Sequence, residues 1–271
     1  MTDLTNAPAR GDAPAPAPAP DPASAPVPAS ALDAPLLERL AAAAEIALPE
    51  GALDAIAAWA EALVAWNARF NLTRITDPAA IAVQHALDAL HGLRAVDDLD
   101  PRHPWRAVDV GSGNGCPGLI LAAARPGWAW TLVESQGKAA TFLRHAAGEM
   151  GLRNVRVVAA RAEDAGRDPE LRERFHVATA RGVAPLPTLL EYALPLVRVE
   201  GRFVAWKGAA ADEEVAASAA ALGLLGGKVR RRLSYTLPGL DHPRRLVVVA
   251  KARRTPRHFP RRSGLPKHQP I

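Results

Sequence analysis

From residue 101 onward, short apolar runs alternate with amphipathic stretches at a spacing that points to a parallel, doubly wound sheet. The runs fall at Arg106–Val110, Ala129–Glu134, Val155–Ala159, 176–180, 202–206 and 246–251, and helical patterns cover 138–150, 185–197 and 212–224. A parallel pair of strands needs a crossover helix, so this alternation predicts an α/β fold with a ligand crevice at the strand carboxyl ends. A seventh run around Leu233 is joined to the last, around Val248, through Pro238 and Gly239 with no helix between them. The pair reads as a hairpin. The expected sheet is therefore mostly parallel and seven-stranded, with an antiparallel terminal strand.

The remaining chain divides by composition. Residues 1–33 are Ala-Pro repeats, and nine of the 25 prolines precede residue 36, so this extension is expected to be disordered. Residues 34–100 carry apolar side chains at three- and four-residue steps, among them Leu36, Leu37 and Leu40, then Ile56, Trp59, Ala60 and Leu63. They predict a helical appendage. A third helix is expected after Asp77 as N-cap and Pro78 at the first helical position. Residues 101–252 form the sheet domain, and residues 253–271 a basic tail.

The formal net charge is +5, yet seven Lys or Arg and no Asp or Glu lie between Lys251 and Ile271. Basicity is thus concentrated at the C-terminus, with a second cluster at Lys228, Arg230, Arg231 and Arg232. Localised positive charge of this kind suits a phosphate backbone, and equally a solvated tail. A lone cysteine, Cys116, rules out an internal disulfide. No apolar run spans a bilayer and no secretory leader is present, so a cytoplasmic protein with no membrane partner is expected. No metal-ligating cluster stands out, and nothing demands more than a monomer.

The chemistry concentrates at Asp109-Val110-Gly111-Ser112-Gly113-Asn114-Gly115, a strand running into a glycine turn. Glycines permit positive φ and let backbone approach a ligand. Residues 113–118 also fit GxGxxG, so the glycines alone leave a nicotinamide dinucleotide and S-adenosylmethionine both open. Asp109 before the turn would repel a pyrophosphate and suit the ammonium of a methionine moiety. Pro117 removes an amide that a phosphate would use, and the terminal hairpin favours the methyltransferase variant of the fold. Glu134, about 20 residues on, suits ribose hydroxyls of either cofactor. Glu163 and Asp164 follow the third strand, where a carboxylate can meet an adenine amino group or simply favour a helix N-terminus. Arg181 ends the fourth strand at the crevice mouth. Cys116 lies inside the turn, which excludes a cysteine nucleophile acting on pyrimidine C5.

The chain resembles a known family at several segments: Trp66-Asn67-Ala68-Arg69-Phe70-Asn71-Leu72-Thr73, Gln84-His85-Ala86-Leu87-Asp88, residues 109–118, Ala180-Arg181 and Ala205-Trp206-Lys207-Gly208. It is similar there to the bacterial small-subunit ribosomal RNA guanine-N7 methyltransferases, the glucose-inhibited division protein B type. The resemblance runs from about residue 36 to the C-terminus and leaves out the Ala-Pro leader. It implies a class I, Rossmann-like methyltransferase transferring a methyl group from S-adenosylmethionine to N7 of a guanosine in 16S ribosomal RNA, as free RNA or small subunit. Carried over by position, cofactor contacts fall on Gly111, Cys116, Ala162, Glu163 and Arg181, beside Asp109, Gly113, Gly115 and Glu134 from the reading above. Arg181, Lys207, His85 and Asn71 would form the catalytic face. Lys138, Arg161, Arg257, Arg261 and Arg262 would bind RNA. Arg202 is expected in solvent, and Trp66 and Phe70 in the core. The alternatives are a methyltransferase of this fold acting on another RNA or a small molecule, a nicotinamide-dependent oxidoreductase, and a non-catalytic RNA-binding protein.

Overall fold

The computed structural model describes residues 30–271, so the expectation for residues 1–29 lies outside the described residues. Strands β1 (Arg106–Val110), β2 (Ala129–Glu134), β3 (Val155–Ala159), β4 (Phe175–Arg181), β5 (Val197–Lys207), β6 (Gly227–Tyr235) and β7 (Arg244–Lys251) form one sheet in the order β3-β2-β1-β4-β5-β7-β6. β3, β2, β1, β4 and β5 run parallel, while β7 inserts antiparallel between β5 and the edge strand β6. The expected hairpin is therefore present. Strand order reverses between β1 and β4, which places the crevice where the glycine turn leaves β1.

Helices α1 (Ala34–Ala43) and α2 (Ala52–Phe70) open the described chain. The Asp33 carboxylate caps α1 by accepting the Leu36 N–H at 2.9 Å. The third helix starts as the sequence predicts, with Asp77 accepting the Ala80 N–H at 2.8 Å. It then changes form, from α3 (Pro78–Ala80) to a π-helical stretch Ile81–Leu87, α4 (Asp88–Leu90) and a 3₁₀ stretch His91–Ala95. Helices α5 (Gly118–Ala124), α6 (Gly137–Glu149), α7 (Ala162–Ala165), α8 (Leu186–Ala193), α9 (Ala211–Ala217), α10 (Ala219–Leu225) and α11 (Leu265–His268) complete the fold. The pattern over 212–224 splits into α9 and α10 at Ser218, whose hydroxyl donates to the Glu214 carbonyl at 2.6 Å. Such back-bonding competes with the helical ladder and bends it.

Period-two alternation distributes the strand side chains to two cores. Val204, Trp206, Leu246 and Val248 face one, with the N-terminal helices, α5 and α6. Phe203, Ala205, Val247 and Val249 face the other, with α8 and Phe259 of the tail. The helical appendage thus shares its core with the sheet: Trp66 packs edge-on to Phe142 at 5.8 Å and beside Phe70 at 5.3 Å, as expected of both. Two expectations are corrected. Ala31 and Leu32, placed in the disordered extension, are buried in that first core. Arg202 is buried against the appendage, donating to the Asp98 carboxylate at 3.0 Å and the Ala95 carbonyl at 3.2 Å.

Candidate active site

Two clefts meet at the carboxyl end of the sheet, and both are lined by Ala184 in the loop after β4. The first, about 350 Å³, lies under the glycine turn and is lined by Val110, Gly111, Ser135, Gln136, Arg161, Ala162, Glu163 and Val183, among others. The second, about 410 Å³, lies between the β4 and β5 ends and the π-helical stretch, lined by Gln84, His85, Asp88, Arg181, Trp206, Lys207 and Arg244, among others.

The turn takes positive φ at Gly111 (70°), Gly113 (48°) and Gly115 (91°). A Cβ on Gly111 would come 2.6 Å from Val183 across the first cleft. Of the amides from Gly111 to Cys116, all but that of Asn114 are already used. Gly111 and Ser112 donate to the Val133 carbonyl at 2.8 and 3.3 Å, Gly113 to Glu134 Oε2 at 2.9 Å, Gly115 to the Ser112 carbonyl at 2.7 Å, and Cys116 to Asn114 Oδ1 at 3.2 Å. A pyrophosphate needs free amides at such a turn. This turn withholds all but one of them, and the Glu134 carboxylate, bound to the Gly113 amide, adds a negative charge beside it.

Asp109 sits behind the turn and lines neither cleft. It is fully buried, one oxygen accepting the Thr179 hydroxyl at 2.6 Å and the other making no hydrogen bond among the described residues. Burial raises its pKa to about 6, while the Thr179 hydrogen bond and the neighbouring Ser112 hydroxyl pull the other way. Direct contact with a ligand ammonium is therefore replaced by a supporting role under the turn. Glu134 clamps the Gly113 amide and, at 2.7 Å, the Gln136 amide, while its neighbours Val133, Ser135 and Gln136 line the cleft. Cys116 is buried and lines neither cleft, and burial pushes its thiol up to about 12, so it is no nucleophile. Ala162 and Glu163 line the first cleft as expected, Glu163 accepting the Gly264 N–H at 2.8 Å.

In the second cleft, Arg181 donates to Asp88 Oδ2 at 2.7 Å and to the carbonyls of Gln84 and His85 at 3.2 and 3.4 Å. Those carbonyls belong to the π-helical stretch, a form concentrated at functional sites. Arg181 Nη2 lies 3.1 Å from His85 Nδ1. A guanidinium only donates, so Nδ1 accepts and the proton resides on Nε2, 2.9 Å from the Thr73 hydroxyl. Burial, then the Arg181 charge, lowers the His85 pKa to about 3. His85 is a neutral imidazole in a polar chain.

That chain explains the helical motifs. Asn67 accepts the Thr73 N–H at 2.8 Å, setting the loop that carries Thr73 to His85. Trp59 donates to the Asn114 carbonyl at 2.8 Å, tying α2 to the glycine turn. Asp88 Oδ1 accepts the Tyr235 hydroxyl at 2.6 Å, and the Asp88 carbonyl accepts the Trp206 indole N–H at 2.8 Å. Sequence reasoning gave Asp88, Trp206, Tyr235 and Thr73 no role. The signal for Asp88 was present: a carboxylate among Leu87, Ala89 and Leu90 requires a buried partner.

Other candidates separate from this centre. Lys207 lines the second cleft but its ammonium is held by Glu214 at 2.7 Å and the Ala184 carbonyl at 2.8 Å, so it braces the loop rather than offering a free cation. Asn71 is exposed in the left-handed cap of α2 and lines neither cleft. Lys138 lies 5.5 Å from the ring of its neighbour Phe70, exposed on the same rim. Arg161 is exposed at the first cleft and faces Glu163 Oε1 at 3.5 Å, and Arg257 and Arg262 are exposed on the tail. Arg261 is corrected: it turns inward to the buried Glu191 at 2.6 Å. Of the second basic cluster, Arg231 and Arg232 pair with Asp97 and Asp212 at 2.9 and 3.1 Å. Among the described residues there is no cluster of metal-ligating side chains, and no helix is long and apolar enough to cross a membrane.

Comparison with known proteins places the chain. A family model described as GidB, rRNA small subunit methyltransferase G, matches residues 52–237. A protein of Roseiflexus castenholzii named ribosomal RNA small subunit methyltransferase G is 45% identical over 235 residues, 87% of this chain and 98% of that protein. One of the same name from Symbiobacterium thermophilum is 42% identical over 87% of this chain and 97% of its own length. The crystal structure of a mutant of MtNAS shares the fold, at a TM-score of 0.50 and 16% identity over 71% of each chain. With a match across most of its length and relatives this similar, the chain belongs to the GidB family of rRNA small subunit methyltransferases G.

Proposed function

We propose that the protein transfers a methyl group from S-adenosylmethionine to N7 of a guanosine in 16S ribosomal RNA of the small subunit. The observation that carries the choice of cofactor is the glycine turn with all but one of its amides spent internally, which suits a nucleoside with no phosphate and opposes a dinucleotide. Gly111, Gln136, Arg161, Ala162 and Glu163 would hold S-adenosylmethionine, with Asp109 and Glu134 fixing the turn. Bound there, it supplies an electrophilic methyl group on a positively charged sulfur.

The chain's part is positioning. Guanine N7 carries a lone pair and no proton, so no general base is required, which agrees with a His85 that is neutral and fully engaged. Arg181 is anchored by Asp88 and the π-helical carbonyls, giving the second cleft a fixed donor for O6 of guanine, which leaves the N7 lone pair free to react. Lys207 holds Ala184, the residue both clefts share. The neutral His85 imidazole adds no second cation beside Arg181, whose charge is balanced by Asp88. Alignment of two bound reactants is worth roughly 7–11 kcal/mol, enough to dominate the acceleration. Lys138, Arg257 and Arg262 are exposed cations available to RNA phosphates, while Arg161 pairs with Glu163 at 3.5 Å in the cofactor cleft.

Calorimetric titration with S-adenosylmethionine and with NADH tests the cofactor. The expected result is binding of S-adenosylmethionine alone; binding of NADH alone would reverse the reading to an oxidoreductase.

A further inference from the structure

The basic C-terminal segment is not a free arm. Arg172 donates to the carbonyls of Thr255, Pro256 and Phe259 at 2.9, 3.2 and 2.7 Å. Arg261 makes a paired contact with Glu191, at 2.9 Å through Nε and 2.6 Å through Nη2, and its N–H donates to the same carboxylate at 2.7 Å. Glu191 is 1% exposed, so its charge depends on that partner. The Thr188 hydroxyl donates to the Pro266 carbonyl at 3.1 Å.

These anchors deliver the last residues to the first cleft, where Lys267 and Pro270 form part of the lining beside Glu163 and Thr188. They also place Gly264 so that its N–H donates to Glu163 Oε1 at 2.8 Å, the oxygen that the Arg161 guanidinium faces at 3.5 Å. Glu163 is 1% exposed, and its Oε2 makes no hydrogen bond among the described residues. A carboxylate with one oxygen held by an amide presents the other in a fixed direction, as an acceptor only.

We infer that residues 263–271 form a wall of the cofactor cleft and act as its specificity element, positioning Glu163 to accept from the exocyclic amine of adenine. The inference rests on reading this cleft as the site for S-adenosylmethionine. Adenine offers an N–H at that position, whereas hypoxanthine offers a carbonyl oxygen that a carboxylate repels. The tail thereby serves base recognition in the cofactor, apart from any contact that Arg257 and Arg262 make with RNA.

The test compares the full chain with a chain ending at Arg262, which keeps the Arg172 and Arg261 anchors and both exposed arginines. Each is titrated calorimetrically with S-adenosylhomocysteine and with S-inosylhomocysteine, its deaminated counterpart. The full chain is expected to prefer the adenine compound by about tenfold or more, the scale of one hydrogen bond to a charged group. Truncation is expected to weaken S-adenosylhomocysteine by a similar factor and to narrow the preference. A full-length chain carrying R261Q with E191Q, which loosens the tail without leaving a buried charge, should shift the same way. A truncated chain that keeps its circular dichroism, its affinity and its preference would overturn the inference. A full chain that binds neither compound would instead overturn the reading of the cleft itself.

Discussion

At the scale of single residues, the site is built on buried polar groups whose protonation is fixed by their surroundings. The unfolded His85 imidazole takes up a proton near pH 6.5, whereas the folded one refuses it until about pH 3. Acid therefore favours the unfolded chain throughout that window, and the His85 contribution to stability, full above pH 6.5, is lost as pH falls. At pH 5 the loss amounts to roughly 2 kcal/mol, from 1.36 kcal/mol per pH unit. Asp109, raised to about 6, acts oppositely: its contribution is lost as pH rises through that value. Chemical denaturation of wild type and His85→Gln at pH 7 and pH 5 isolates the histidine, and the wild type is expected to lose about 2 kcal/mol more. Equal losses would show that the imidazole is not held neutral. Asp88 is the sharper test of the network. Asp88→Asn leaves the Arg181 cation without its carboxylate and should cost about 3–5 kcal/mol. A melting temperature unchanged from wild type would contradict the role of that pair.

At the scale of elements, what could be read from the sequence was what is local. The Asp77 cap, the strand runs, the glycine turn and the Pro238-Gly239 hairpin each declare themselves within a few residues. The π-helical stretch does not, because residues 81–87 read as an ordinary amphipathic helix until Arg181, nearly a hundred residues on, competes for the carbonyls of Gln84 and His85. Arg202 with Asp98, Arg172 with the tail carbonyls, and Tyr235 with Asp88 are likewise long-range partnerships of polar groups. Hydrophobic periodicity carries no record of them. The glycine turn combines both kinds of information: its residues are legible, while the internal use of its amides is visible only in three dimensions. Gly111→Ala tests it, since positive φ and a Cβ 2.6 Å from Val183 are both disallowed. The strain is of order 1–3 kcal/mol, and the affinity for S-adenosylmethionine should fall by about tenfold or more. Unchanged affinity would place the cofactor elsewhere.

At the scale of the whole molecule, an N-terminal helical layer and a C-terminal tail converge on one end of the sheet from opposite cores. The appendage supplies His85 and Asp88 to the acceptor cleft, and the tail supplies Lys267 and Pro270 to the cofactor cleft. The net charge is modest, and many arginines are consumed by Asp97, Asp98, Asp212 and Glu191. RNA affinity is therefore expected to rest on the few cations left exposed near the clefts. Replacing Lys138 and Arg262 together by Ala should weaken binding across RNA sequences and lower the slope of log K against log salt by about one unit per lost phosphate contact. A slope equal to wild type would remove both from the RNA surface.

The central claim is the reaction, and it is tested most directly by supplying labelled S-adenosylmethionine to the purified protein with unmodified small ribosomal subunits and mapping the labelled base. The expected result is label on a single guanosine of 16S ribosomal RNA, at N7, as the cationic 7-methylguanine. Label on an exocyclic amine or a ribose hydroxyl would contradict it, because those targets must lose a proton, and among the described residues of the second cleft His85 and Asp88 are both engaged by Arg181.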